Sequence, residues 1–524
     1  MKKIIVLFLI IYLVIFSVFG QENALYHEIQ QAKEANTRFE NVVFTRTSID
    51  TEALKDFIHP DEVACFENLS FHSKNNETKA INLSIPFKMT SIVLELVEVP
   101  AYFYNYEILT SDWESFAPNK DIKHFRGMVK GDEHSLAAVT FYEDEVMGLV
   151  ATSEGNFNIV KNKESGRHLV YNDKNLKEKI NWTCGTEDDL SVSYDEEDLL
   201  DHRSDINNSK VTTRSTSINK IVKFYVETEF DIFQNRGSVP AVEAYILGLF
   251  NQVAVLYHNE EISTAVSYLY IWTSNASYPY SGKNTTSDLL AQFEITRTSI
   301  IGDLGMLLTF RSIGGGRAHV DGLCNSSTKN KLGVAGVSSN LIINSNHYNQ
   351  SIHFVTHELG HLLGSKHTHA CVWTVNNVSN TFIDACGPND SILYIEGSCI
   401  KPGDLPIPDP TVGGTIMSYC HLRTVGVNFN LGFGPLPGNL IRNKVSNANC
   451  VQACDLTINN TTYNTGVHDI LGCMVTISNS TVNANTTVNI YGRESVILNP
   501  GFEAKAGSLV RISAGEQGHV HTNQ

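Results

Sequence analysis

The sequence predicts a chain built in three different textures around a central α/β region with a mixed, mostly parallel sheet. Three observations carry that expectation. From Asn219 onward, strand-like and helix-like segments alternate, which is the order of a largely parallel sheet covered by helices. Before it, residues 21–185 read as β-rich, and after Cys454 short β-branched runs are separated by Asn, Gly and Pro without a helical period. A length of 524 residues also exceeds what one compact core supports.

The elements follow in order. Residues 1–20 place Lys2 and Lys3 before the apolar run Ile4 to Phe19, with small residues at Val18 and Gly20. This is the pattern of a secretory signal peptide cut near Gln21; the alternative is a single membrane anchor, for which the run is short. No later stretch reads as apolar enough to cross a bilayer. In residues 21–185, Ser91 to Val99 and Ser135 to Thr152 read as strands, the second folded back at Glu143-Asp144-Glu145. Residues 186–215 are acidic, polar and nearly free of aromatics, so they cannot bury much surface and read as a linker. Arg203, Lys210 and Arg214 lie there, where an exposed backbone could be cut.

Residues 216–454 then alternate. Lys220 to Thr228 reads as a strand, and Val242, Ile246, Leu249, Val253 and Leu256 recur with a helical period. Ala265 to Trp272 is again strand-like, and Ser287 to Ile301 opens with a capping residue and reads as helix. Met306 to Phe310 and Gly316 to Val320 are short strands. Residues 455–524 read as a small stacked β-module with roughly regular strand spacing.

The formal net charge of −17 argues against nucleic acid or an anionic membrane as partner. Ten cysteines fit an oxidising compartment. Cys65 and Cys184 stand alone early, while eight crowd into Cys324 to Cys473; the even number predicts disulfides without fixing their pairing.

"HELGHLLGSKHTHA", His357 to Ala370, carries the chemistry. In a helix His357 and His361 lie one turn apart on one face, able to offer two imidazoles to one ion. Glu358 sits beside His357 and can reach water at that ion without binding the ion itself. Ile352, Val355, Leu359 and Leu362 form the opposite stripe, which buries the helix. Gly364 can take a left-handed conformation and end the helix, returning His367 as a third ligand. Three histidines with one open position are a catalytic zinc arrangement rather than a closed structural one.

His357 to His367 resembles the zinc signature of the metzincin metallopeptidases, and "TIMSYC", Thr415 to Cys420, resembles their methionine turn with Met417. The wider region, roughly Asn219 to Cys454, is similar to the reprolysin (adamalysin) branch in "KFYVETEFDIF", in the helix before "IGDLGMLLTF", and in "GGGRAHVDGLCNSSTKNKLGVAGVSS". The tail "ESVILNPGFEAKAGSLVRISAG" resembles short β-stack modules that follow secreted bacterial enzymes. Two departures stand out. Thr368, followed by His369, replaces the Asp usual after the third histidine, and Tyr419 two residues beyond Met417 is a spacing that resembles astacins and serralysins.

The resemblance implies a secreted zinc metalloendopeptidase acting on proteins or peptides, with Zn2+ as cofactor and no membrane span after signal removal. Glu358 would be general base and then general acid. Gly316 to Val320 would be an edge strand pairing with extended substrate. It further implies a latent zymogen with a prodomain over residues 21–185 and a catalytic domain over residues 216–454. Cys184 is then either a ligand closing the zinc's open position or half of a Cys65–Cys184 disulfide. His369 is a substitute ligand or, the better reading, a hydrogen-bonding or surface residue. Tyr419 is an oxyanion contact, a fifth ligand or a packed turn residue. By resemblance Cys324 pairs with Cys450, and the remaining guess is Cys371 with Cys420 and Cys386 with Cys399. Glu227 and Asp303 match two calcium-ligand positions of the branch, the alternative being two solvated carboxylates. The rival functions are a protease-like binding or adhesion protein without activity, and a zinc hydrolase of another substrate.

Overall fold

The computed structural model describes residues 24–48, 54, 58–67, 78–87, 90–162, 165–177, 182–188, 190–191, 194, 197–200, 220–276, 278–339, 348–386, 395–399, 407–451, 456–514 and 519–522. The expected signal segment, most of the expected linker with Arg203, Lys210 and Arg214, Cys454 and the side chain of Cys473 lie outside the described residues.

Helix α1 (Ala24–Glu34) leads into β1 (Phe39–Val43), β2 (Thr45–Arg46), β3 (Val63–Glu67), β4 (Ala80–Phe87), β5 (Thr90–Glu98), β6 (Glu107–Thr110) and β7 (Ser115–Phe116). Strands β8 (Lys123–Val129), β9 (Leu136–Tyr142), β10 (Glu145–Thr152), β11 (Gly155–Lys161) and β12 (His168–Asn172) complete the N-terminal region. The turn expected at residues 143–145 falls at 143–144 and joins β9 to β10, Glu145 already pairing with Tyr142. Ten of these strands form one sheet in the order β1-β4-β5-β8-β9-β10-β11-β12-β3-β2, antiparallel except for β1 on β4. Because residues 39–46 pair with β4 through β1 and with β3 through β2, the two ends of the sheet meet in one continuous segment. The sheet therefore closes around a core of Phe66, Ile81, Leu83, Leu94, Phe125, Val139 and Phe157.

The central region begins with β13 (Ile221–Thr228), followed by α2 (Phe230–Arg236), α3 (Val239–Asn259), β14 (Ser263–Ile271), α4 (Thr286–Thr296), β15 (Leu304–Thr309), β16 (Gly316–Ala318) and β17 (Leu332–Gly336). Its sheet runs β16-β17-β15-β13-β14-β6-β7. β17, β15, β13 and β14 are parallel, as the alternating texture predicts, and β16 is an antiparallel edge. The far edge is borrowed: β6 of the N-terminal region pairs in parallel with β14, Ile108 opposite Leu269.

Helix α3 explains why the regions are not separate. The Ser238 hydroxyl accepts from the Ala241 N–H at 3.3 Å and Pro240 lies in the first turn, a strong start signal. Beyond it the helix is buried on nearly every side, between the outer face of the closed sheet and the central sheet. One continuous core joins Leu136, Ala138, Met147 and Leu149 of the closed sheet to Val242, Ile246, Val253, Leu269 and Leu359. This helix corrects the expectation that no later stretch is apolar enough to cross a bilayer: Val239–Asn259 is, by length and composition, and most of it is buried inside the protein. Helix α4 ends at Thr296, earlier than the Ile301 of the sequence reading, because Arg297 leaves the helical path and pairs with buried Glu227 at 2.5 Å.

The tail is a stack of parallel coils. β18 (Leu456–Asn459), β19 (Gly466–Ser478) and β20 (Thr486–Leu498) lie in register, with Leu456 on Val475 and Val475 on Val496. Val475, Ile477, Val488, Ile490 and Val496 fill the interior. Asn460, Asn479 and Asn485 have φ of 54°, 46° and 60°, so the asparagines that punctuate the sequence supply left-handed corners at low cost.

Candidate metal centre

Helix α5 (Tyr348–Leu362) carries the histidine motif. Its stripe of Ile352, Val355, Leu359 and Leu362 is fully buried, and the helix packs on β17 and β16. Gly360 makes room beneath the motif: a Cβ there would meet Met417 Sδ at 2.7 Å. Gly364 has φ of 104°, its N–H bonding to the His361 carbonyl at 2.9 Å, and the chain turns there to return His367.

Backbone carbonyls set the orientation of two imidazoles. His357 Nδ1 lies 2.8 Å from the Ile416 oxygen and His361 Nδ1 lies 2.8 Å from the Ser365 oxygen. A carbonyl only accepts, so each Nδ1 carries the proton and each Nε2 presents its lone pair. His367 Nδ1 faces Asp188 Oδ2 at 3.1 Å, leaving its Nε2 without a hydrogen-bond partner among the described residues. One ring nitrogen from each histidine and the Cys184 Sγ all lie within 4.8 Å of one another, fully buried apart from Cys184 at 8% exposure.

The spacing fits a tetrahedral ion. Zinc–nitrogen and zinc–sulfur bonds place nitrogens about 3.3 Å apart and nitrogen about 3.6 Å from sulfur at tetrahedral angles. The two Nε2 atoms of His357 and His361 are 3.2 Å apart, and Cys184 Sγ is 3.5 Å from His361 Nε2. With both Nδ1 protons committed to carbonyls, the Nε2 lone pairs of His357 and His361 face each other at 3.2 Å, and a cation between them removes that conflict. Burial holds both the His357 and the His361 imidazoles below the usual range, which keeps their lone pairs available.

Cys184 arrives on an extended segment. Thr183 N–H donates to Gly314 O at 3.3 Å and Gly185 N–H to Gly316 O at 2.8 Å, so both chains advance together and residues 182–186 run parallel to the β16 edge. The Thr186 hydroxyl binds Ala318 and, at 3.2 Å, Glu358 Oε2. The His367 N–H donates to Asp188 at 2.9 Å. Of the two readings of Cys184 the disulfide is not formed: Cys65 and Cys184 are each unpaired, with Cys65 in β3. Burial, with the neighbouring Glu358 carboxylate, pushes the thiol up to about 12.

Glu358 is fully buried beside the cluster, and its Oε1 has no hydrogen-bond partner among the described residues. Burial pushes its carboxyl up to about 7. Gly316 permits this placement, since a Cβ there would lie 2.5 Å from Glu358 Oε1. His369 is buried rather than at the surface; it binds Glu396 Oε1 at 3.1 Å and stacks on His367 with centroids 4.9 Å apart. The Tyr419 hydroxyl donates to the Cys184 carbonyl at 3.2 Å, and its ring stands 4.9 Å from that of His367.

Two expectations are corrected. Cys324 pairs with Cys450, but the others pair as Cys371–Cys399 and Cys386–Cys420, not Cys371–Cys420 and Cys386–Cys399. The reason is topological: Cys386 follows a chain that returns to the Met417 turn, where Ile383 N–H binds Thr368 O and Thr368 N–H binds Met417 O. Glu227 and Asp303 do not form a calcium site. Glu227 is saturated by Arg297, Tyr225, Tyr280 and Trp272, while Asp303 accepts from the Lys223 N–H, four residues or about 13 Å along the strand.

Asp188, Thr186, Glu396 and Trp182 escaped the sequence reading. Only Trp182 carried a signal, an indole two residues before Cys184 in an otherwise polar stretch.

Residues 219–421 match the model of Reprolysin_5, Metallo-peptidase family M12. Two curated proteins of Naja atra, zinc metalloproteinase-disintegrin-like atrase-B and zinc metalloproteinase-disintegrin-like kaouthiagin-like, are each 24% identical over 270 residues, 48% of this chain and 42% of theirs. The chain thus spans less than half the length of these relatives. The crystal structure of metalloproteinase-II from Bacteroides fragilis aligns over 59% of this chain and 89% of its own, at 12% identity and a TM-score of 0.31.

Proposed function

With a reprolysin-like metallopeptidase domain at residues 219–421 as premise, we propose that this chain is a secreted zinc metalloendopeptidase made in latent form. In this reading residues 1–20 are its signal peptide, 21–185 its prodomain, 186–215 a linker holding the maturation site, 216–454 the catalytic domain and 455–524 an appended β-module. The observation that carries it is the convergence of His357, His361 and His367 beside a buried carboxylate with one uncommitted oxygen.

His357, His361 and His367 would hold the zinc, which supplies Lewis acidity and lowers the pKa of water toward neutrality. Glu358 takes the proton from the attacking water on its free oxygen and passes it to the leaving amine. Carbonyls of Gly314 and Gly316, which accept N–H groups of residues 183 and 185 here, would receive those of an extended peptide. Cys184 occupies the position where water must stand, and the same segment ties up Glu358 through Thr186 and Tyr419 through its backbone. Latency in this reading is occupation of the whole cleft.

The test is cleavage of an unfolded protein such as casein by secreted material, wild type against Glu358→Ala, with and without a zinc chelator, alongside zinc content. Cutting by wild type that the chelator and Glu358→Ala each abolish, with zinc retained in the variant, supports the mechanism. Processed, zinc-loaded wild type that cuts no protein sinks it in favour of a binding or adhesion role.

A further inference from the structure

Trp182 is 4% exposed although it lies in the segment that fills the cleft. Its ring enters a slot whose walls all come from the central region. His421 stacks on it with centroids 4.4 Å apart and planes 13° from parallel. Phe354 lies 4.1 Å away, and His353 and His357 present their edges at 5.2 Å and 5.5 Å. The remaining side is backbone: a Cβ on Gly315 would come within 2.9 Å of the indole Cε3. His421 Nε2 also lies 3.2 Å from the carbonyl oxygen of Trp182, so one residue both stacks on the ring and fixes the backbone that bears it.

We propose that this slot is a side-chain pocket of the substrate cleft and that it selects a flat aromatic residue. The inference rests on the peptidase reading and adds the substrate's side chain to it. The segment that places Trp182 there is extended, bonded to the β16 edge, and bears Cys184 two residues further on at the metal centre, so the slot opens on the groove that an extended chain fills here. The walls are preorganised. His353, Phe354 and His357 share one turn of a packed helix, and His353 Nε2 lies 2.9 Å from the Ile416 carbonyl oxygen. Parallel and edge-on ring walls favour another ring over a branched aliphatic chain of similar volume. When residues 182–188 leave, these walls remain beside His357 and face the cleft.

Two measurements test this. In the full zinc-loaded chain with Cys65→Ala, the rate at which a thiol reagent labels Cys184 reports how firmly residue 182 anchors the segment. Trp182→Phe should label within a few-fold of wild type, and Trp182→Leu and Trp182→Ala about tenfold faster or more. The second is the set of cut sites made by the processed enzyme in a peptide library, which should show aromatic residues enriched at one position fixed relative to the cut. His421→Ala should flatten that enrichment. Labelling of Trp182→Leu at the wild-type rate, or cut sites without an aromatic at any fixed position, overturns the selectivity. A processed protein that cuts nothing counts against the peptidase reading instead, while the labelling rates still decide the pocket.

Discussion

The hydroxyl of Tyr106 donates a 2.7 Å hydrogen bond to Glu243 Oε1, and the backbone N–H of Asn119 reaches the same oxygen at 2.7 Å. Both donors belong to the N-terminal region and the acceptor to helix α3, so a buried carboxylate of the central region has its partners in the other. Burial raises the Glu243 carboxyl above its usual range, and these two bonds oppose that rise. Arg126 repeats the pattern, donating to Asn251 Oδ1 at 2.8 Å. Tyr106→Phe should therefore destabilise the full chain by about 1–3 kcal/mol, the cost of leaving a buried acceptor short of a donor. Chemical denaturation of Tyr106→Phe, Glu243→Gln and the double variant checks it; strictly additive losses would mean that the pair is not coupled.

In the proposed reading Cys184 fills the fourth corner of the zinc site, so Cys184→Ala should leave zinc bound by three histidines but let it exchange faster. Zinc extraction by a chromogenic chelator is expected to be at least about tenfold quicker than from wild type, with one zinc per chain in both at the start. Identical extraction rates would remove Cys184 from the coordination sphere.

Non-reducing peptide mapping should recover Cys371 with Cys399 and Cys386 with Cys420. The second bridge closes 34 residues between the chain after His369 and the methionine turn. Its removal by Cys386→Ala with Cys420→Ala should cost about 2–4 kcal/mol of stability. Recovery of Cys371 with Cys420 would contradict the fold in this region.

Acid should weaken the N-terminal region through His168. Its Nε2 accepts the Val146 N–H at 2.9 Å, its ring stacks on Phe66, and burial, then Lys161, hold its pKa down to about 3 against the pull of Asp144. The folded pKa lies below the unfolded value of about 6.5, so between these limits the unfolded chain binds the extra proton. Stability is then lost as pH falls from about 6.5 toward 3, by up to about 1.4 kcal/mol per pH unit. His168→Gln keeps an acceptor without titrating, and its denaturation midpoint should fall less between pH 7 and pH 5. Equal slopes for the two proteins would rule His168 out as the source.

Gly316→Ala should reduce cleavage roughly a hundredfold with zinc content unchanged, because the new methyl displaces the Glu358 carboxylate by an ångström or more. Full activity in this variant would show that Glu358 is not held where the mechanism needs it.

Local pattern made much of this molecule legible. The i, i+4 spacing of His357 and His361, the glycine at 364 and the apolar stripe from Ile352 to Leu362 each follow from helix geometry and need no partner to be read. The strands Thr90–Glu98, Leu136–Tyr142 and Glu145–Thr152 and the helix Val239–Asn259 are legible because each is a long apolar run bounded by turn or capping residues, which marks an element buried on most sides. The asparagine-rich tail announced its coils through residues that tolerate positive φ.

By itself the sequence determined which elements form and which histidines can share an ion, because those depend on residues a few positions apart. Tertiary structure alone decided the rest: which cysteines meet, that Glu227 answers to Arg297 rather than to a calcium ion, and that β6 joins β14 to complete a sheet begun more than a hundred residues later. It also decided that Asp188, Thr186 and Trp182 stand in the cleft. Those contacts join residues 130 to 240 positions apart, and their energy lies in complementary packing and charge across that distance, which no local pattern encodes.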